Sequence, residues 1–144
     1  MSSSYLVRHY METEVVSSEG DISVVEAAKQ MSKVDRGYMI ILERGHPVGI
    51  ATEHDFVKKV IALELDPAKV KISEIMTKPL ITVDPDEDLV KASEMMKKYN
   101  VRRLPVVKTG IIYGMLTSTG ISKHFVDYLD KSSRDIMRWC NVLD

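Results

Sequence analysis

Apolar positions along this chain fall into alternating helical and strand-like spacings, and the alternation predicts a short strand, a helix, a hairpin and a second helix, twice over. Residues 15–17 form a β-branched run, followed by turn residues Ser18, Glu19, Gly20 and Asp21. Ser23 and Glu26 have the spacing of a capping box, and Val24, Ala27, Ala28 and Met31 share one face of the helix that follows. Gly37 closes that stretch. Residues 38–42 read as a buried strand, Arg44-Gly45 as a turn and residues 48–51 as the partner strand. A second helix after Thr52 carries Phe56, Val57, Val60, Ile61 and Leu63. Asp66-Pro67-Ala68 then breaks the chain, and residues 71–76 read as a helical turn. Downstream, residues 80–83 predict a strand, and Asp84-Pro85-Asp86 a turn that brings acids to a helix N-terminus. Leu89, Ala92, Met96 and Tyr99 form that helix's apolar stripe, and residues 103–107 and 111–116 make a hairpin around Thr109-Gly110.

The two halves are copies. An offset of 65 residues lays Met11 on Met76 and runs without a gap to Phe56 on Ile121. Identical pairs include Asp21/Asp86, Val25/Val90, Ala27/Ala92, Met31/Met96, Lys33/Lys98, Gly45/Gly110, Gly49/Gly114 and Thr52/Thr117. A repeat of this kind decides the architecture. Each copy, at about 50 to 60 residues, buries little core alone, so the expected fold is α/β (α+β), with two strand-helix-strand-strand-helix repeats packed with pseudo-twofold symmetry. The expected divisions are repeat one at 8–62, a linker at 63–71, repeat two at 72–130 and a C-terminal helical tail at 131–144.

Composition adds bounds. With 144 residues, 44% hydrophobic and 28% charged, the chain has an ordinary globular make-up. A formal charge of −1 gives no general attraction to nucleic acid or to an anionic membrane. The first residues hold no apolar run of signal-peptide length, the longest large-apolar run is too short for a membrane span, and the one cysteine, Cys140, has no internal partner. The expected location is the cytoplasm. His9, His46, His54 and His124 lack metal-ligand spacing, and no P-loop, nucleophile elbow or catalytic carboxylate pair stands out, so no enzyme activity, metal or required cofactor is expected.

The chemistry concentrates where strand meets helix. Gly49-Ile50-Ala51-Thr52-Glu53-His54-Asp55-Phe56 places a threonine at a helix N-cap and a carboxylate at its third position. The same pair suits a ligand, because a carboxylate accepts two hydrogen bonds from a cis-diol, helix-end N–H groups suit phosphate, and glycine lets backbone come close. This motif, the segment Tyr99-Asn100-Val101-Arg102-Arg103-Leu104-Pro105-Val106-Val107 and the opening Ile75-Met76-Thr77-Lys78-Pro79 together resemble CBS domains, in order, spacing and duplication.

The resemblance covers about residues 8–62 and 72–130 and implies a tandem pair, or Bateman module. Such pairs sense adenosine-containing ligands: AMP, ADP or ATP, and also S-adenosylmethionine or NAD. In the family pattern Gly-x-x-Thr/Ser-x-x-Asp the aspartate holds the ribose hydroxyls, so the resemblance implies a site of Gly49, Thr52 and Asp55. By the same analogy Thr77, Leu80 and Arg102 join it, with Arg102 or Arg103 as phosphate partner, since alternation along a strand turns neighbouring side chains to opposite faces. Copy two departs from the pattern, because Gly120 stands where Asp55 stands in copy one. One competent nucleoside site per chain is therefore expected. The implied role is regulatory, sensing an adenine nucleotide and acting on a protein partner in trans. The alternative is an adaptor on the same scaffold that binds protein or nucleic acid without a ligand. A homodimer is expected through the apolar stripes at Val57, Ile61, Phe125 and Leu129. In the tail, Ile136, Cys140 and Leu143 share one helical face with Trp139 adjacent, which reads as core packing or, alternatively, as a dimer contact. Lys58-Lys59 and Lys97-Lys98 read as solvated helix faces.

Overall fold

The computed structural model describes residues 5–127. The chain divides into two compact units, Glu14–Ile81 and a split unit made of Met1–Thr13 with Thr82–Asp144.

In the Glu14–Ile81 unit, β1 (Ser17–Glu19) lies parallel to β2 (Tyr38–Glu43), which pairs antiparallel with β3 (His46–Thr52). The hairpin turns at Arg44 and Gly45, both left-handed at φ 52° and 80°, the pair that a twist-matched two-residue turn requires. The Glu19 carboxylate accepts both turn N–H groups, from Arg44 at 2.9 Å and Gly45 at 3.2 Å, and so fastens the end of β1 to the hairpin. Helix α1 (Val24–Lys33) starts where the Ser23 hydroxyl accepts the Glu26 N–H at 3.1 Å. It buries Val24, Ala27 and Met31 against Met39 and Ile41 of β2 and Ala51 of β3. Beyond β3 the chain forms α2 (Glu53–Phe56), which widens into a π-helix over Val57–Ile61. Ala62 donates back to Val57 O, and Leu65 to Val60 O, five residues each. In this stretch Val60 is buried, whereas Val57 and Ile61 are 55% and 68% exposed. Helix α3 (Ile72–Ile75) adds Ile72 and Ile75 to the core, and Thr77 then exchanges two backbone hydrogen bonds with Ile50 of β3.

The split unit repeats this plan. Helix α4 (Leu89–Tyr99) is capped by Asp88, whose carboxylate accepts the Val90 N–H at 2.7 Å, and ends at left-handed Asn100. It buries Leu89, Ala92 and Met96. Strands β4 (Arg103–Lys108) and β5 (Ile111–Thr117) pair around Thr109 and Gly110, again both left-handed, and α5 (Ser118–Asp127) follows. The 65-residue offset holds in backbone detail: Tyr38 faces Thr52 as Arg103 faces Thr117, the register shifts after Ile41 and after Val106, and Ile50 pairs with Thr77 as Met115 pairs with Glu12. Residues 5–9 dock on the same unit, with Val7 N–H on Glu87 O, Arg8 N–H on Pro85 O and the Arg8 guanidinium 2.6 Å from Asp86.

Four local expectations change. The first strand sits two residues later than the β-branched run, because Glu19 is needed at the hairpin turn. Its copy at 80–83 shrinks to a single bridge from Val83 to Val106, in a stretch closed on either side by Pro79 and Pro85, which offer no N–H. The helix after Thr52 is only partly α-helical. Tyr99 leaves the apolar stripe, 44% exposed with the Lys98 ammonium 5.2 Å from its ring centre. Leu129, the expected tail and the side chain of Phe125 lie outside the described residues.

Candidate ligand site around Asp55

Strand β3 delivers Thr52 in an extended conformation, and the chain turns there into α2 with Asp55 one turn on. Asp55 is 6% exposed and is the one charged residue buried among those described. A buried carboxylate is costly unless hydrogen-bonded and paired, and this one is both. Its Oδ2 accepts the Thr52 N–H at 3.0 Å and the Thr52 hydroxyl at 3.4 Å. Its Oδ1 faces the Lys59 ammonium at 3.0 Å and accepts the Thr77 hydroxyl at 3.3 Å. Lys59 Nζ also donates to Ile75 O at 2.9 Å, so one ammonium joins the π-helix, the carboxylate and the end of α3.

Of the residues expected at a site, Thr52, Asp55 and Thr77 come together. Gly49 has a structural duty of its own: a Cβ there would lie 2.7 Å from Met76 Sδ and 3.0 Å from Thr77 O, so the missing side chain admits the Met76-Thr77 segment against β3. Gly114 serves the segment at Met11 and Glu12 in the same way. Leu80 is half-buried beyond the cis Lys78–Pro79 bond. Arg102 and Arg103 belong to the split unit. Arg102 is exposed, and its carbonyl accepts the Ser118 N–H at 3.0 Å; Arg103 opens β4, half-buried. Lys59 was missed among the solvated lysines, although its spacing of four from Asp55 is the helical ion-pair signal.

The second copy keeps the cap and loses the charge. The Thr117 hydroxyl accepts the Gly120 N–H at 3.0 Å. Gly120, His124 and Glu12 occupy the positions of Asp55, Lys59 and Thr77, and His124 meets Tyr10 edge-on with ring centres 4.8 Å apart. The aspartate and the lysine are thus present together in one copy and replaced together in the other. No group of three or more His, Cys, Asp or Glu side chains suited to a metal occurs among the described residues. No helix there is long and apolar enough to cross a membrane.

Comparison with known proteins finds the CBS-domain family model matching residues 7–62 and 72–127. The uncharacterized protein MJ0450 of Methanocaldococcus jannaschii is 34% identical over 116 residues, which are 78% of this chain and 62% of that one, so this chain spans less than two thirds of that relative. Among solved structures, the CBS-domain pair of protein MJ0100 in complex with 5′-methylthioadenosine and S-adenosyl-L-methionine is 32% identical, with a TM-score of 0.77 over 86% of this chain and 98% of that one. The hexameric CBS-CP12 protein from bloom-forming cyanobacteria is 25% identical, with a TM-score of 0.75 over 92% and 86%.

Proposed function

This chain belongs to the CBS-domain family and carries two copies of the domain, and from that premise we propose that it is a regulatory module binding an adenosine-containing ligand through Asp55. The observation that carries this reading is the buried Asp55 carboxylate, with the Thr77 hydroxyl donating to one of its oxygens and the Lys59 ammonium paired with that same oxygen. A ribose diol presents two hydroxyls in the same role, and charge-assisted hydrogen bonds of this kind are strong. The ligands in the MJ0100 complex both carry an adenosyl group, which supports the class of ligand. Within that class the reading names AMP, ADP or ATP, with Arg102 or Arg103 as phosphate partner. Calorimetry with AMP, ATP, 5′-methylthioadenosine and S-adenosylmethionine on wild-type protein and on Asp55→Asn tests it, with binding expected to fall in the variant.

One observation favours a second reading, a ligand-independent adaptor. Three hydrogen bonds and an ion pair already surround the Asp55 carboxylate, so it also serves as an internal strut. In that case Asp55→Asn lowers stability, and no adenosine-containing compound shifts the melting temperature. For the oligomer, the reading is a homodimer through the face bearing Val57 and Ile61. These exposed side chains adjoin an apolar groove of about 600 Å³ lined by Val24, Ala28, Phe56 and Val60, and the CBS-CP12 relative assembles as a hexamer. Action on a protein partner in trans follows as the module's output, tested by pull-down with and without AMP.

A further inference from the structure

We infer that Lys59 is a built-in competitor for the ligand: its ammonium pairs with Asp55, and a ligand's diol enters by displacing it together with the Thr77 hydroxyl. This inference rests on the reading that Asp55 holds ribose. A carboxylate has about four acceptor positions; here Thr52 fills two and Thr77 one by hydrogen bonds, and the Lys59 ammonium stands 3.0 Å from Oδ1 as an ion pair over the remaining side. Two incoming hydroxyls therefore require two donors to leave. The Thr52 N–H stays, because the backbone turn that starts α2 fixes it against Oδ2.

The donors on Oδ1 are the replaceable pair. The Lys59 side chain is 42% exposed and sits on a flexible four-carbon stem, and Thr77 lies on an exposed stretch of chain. Displaced from Asp55, the Lys59 ammonium keeps Ile75 O as an acceptor and can reach water, so its release leaves no buried charge behind. In the second copy, where Gly120 removes the carboxylate, His124 replaces the lysine, as expected if the lysine's position is matched to Asp55 rather than to the helix surface. Exchange also links occupancy to structure. A diol on Asp55 releases the Thr77 hydroxyl and so loosens one of the ties on the Met76-Thr77 segment, while the Lys59 bond to Ile75 O stays.

The test is calorimetric titration with adenosine and with 2′-deoxyadenosine, which lacks the diol. Lys59→Met keeps the apolar stem and removes the competitor. It is expected to tighten adenosine about fivefold, the size of one partly exposed ion pair, and to tighten 2′-deoxyadenosine, which has a single hydroxyl to place on Asp55, by less. Lys59→Arg, which retains the pair, is expected to match wild type. Should Lys59→Met fail to fold, as judged by circular dichroism, Thr77→Val removes the other replaceable donor and is expected to tighten adenosine in the same sense. Weaker or unaltered adenosine binding in the folded variant overturns the inference. Asp55→Asn separates the two claims: if it abolishes adenosine binding while Lys59→Met fails to tighten it, exchange alone is wrong. If neither wild type nor Lys59→Met binds adenosine, the ribose reading and the exchange fall together.

Discussion

Asp55 closes a helix start, and in the proposed reading it also holds a ligand; substitutions can pull the two apart. Its carboxylate receives the Thr52 N–H, as a helix-start residue does, and it is buried beside the Lys59 ammonium. Thr117→Ala removes only a cap, the bond from the Gly120 N–H, and is expected to cost about 1 kcal/mol of stability while leaving adenosine affinity unaltered, checked by denaturant titration and calorimetry. In the split unit, the Arg8 guanidinium hydrogen-bonded to Asp86 holds that carboxyl below its ordinary value, with Lys108 adding to the effect. A carboxyl lowered by folding contributes stability that is full above its unfolded pKa of 3.8 and is lost as pH falls through the lower folded value. The docking of residues 5–9 is therefore expected to weaken in acid, below about pH 4. Nuclear magnetic resonance of the Val7 and Arg8 amides would follow it, and Arg8→Ala should erase the pH dependence. The Thr52–Asp55 pair was legible in the sequence because a cap has fixed spacing. Lys59 was not, because a lysine beside another lysine on a helix looks the same whether or not it reaches back four residues.

At the scale of elements, the repeat predicted the hairpins well and the irregular pieces poorly. Both turns need two left-handed residues, and Arg44-Gly45 and Thr109-Gly110 announce that by ending in glycine. The π-helix at Val57–Ile61 has no such signal; Phe56, Val57, Val60 and Ile61 fit an α-helix equally well, and widening leaves Val57 and Ile61 exposed. Glycine at 49 reads in the sequence as letting backbone come close to a ligand; in the structure its missing Cβ also admits the Met76-Thr77 segment against β3. Gly49→Ala is expected to push against Met76 and Thr77 and to lower stability by about 1–3 kcal/mol, measured by denaturant unfolding. The exposed pair Val57 and Ile61 gives the element-scale test of the proposed dimer. Val57→Glu with Ile61→Glu is expected to yield monomers by light scattering while circular dichroism stays unaltered; a dimer that survives places the contact elsewhere.

Across the whole molecule, duplication made the fold legible and also limited what the sequence could say. The offset that aligns Ile50 with Met115 also aligns Thr77 with Glu12, and the structure honours it by setting each of those segments against the hairpin that follows the same rule. Because Met11 and Glu12 fold against β5, the split unit gathers chain from both ends of the described residues, a closure that local periodicity does not encode. Divergence between the copies then carries the functional argument, for Asp55 and Lys59 stand where copy two has Gly120 and His124. That asymmetry predicts one adenosyl site per chain. The most direct test is calorimetric titration of AMP and 5′-methylthioadenosine into wild-type protein and into Asp55→Asn. One site per chain is expected in the wild type, with affinity falling about tenfold or more in the variant as the charged acceptor becomes a neutral amide that accepts at one atom only. Two equal sites per chain, or unaltered affinity in Asp55→Asn, would contradict the assignment of Asp55 as the ribose-holding residue.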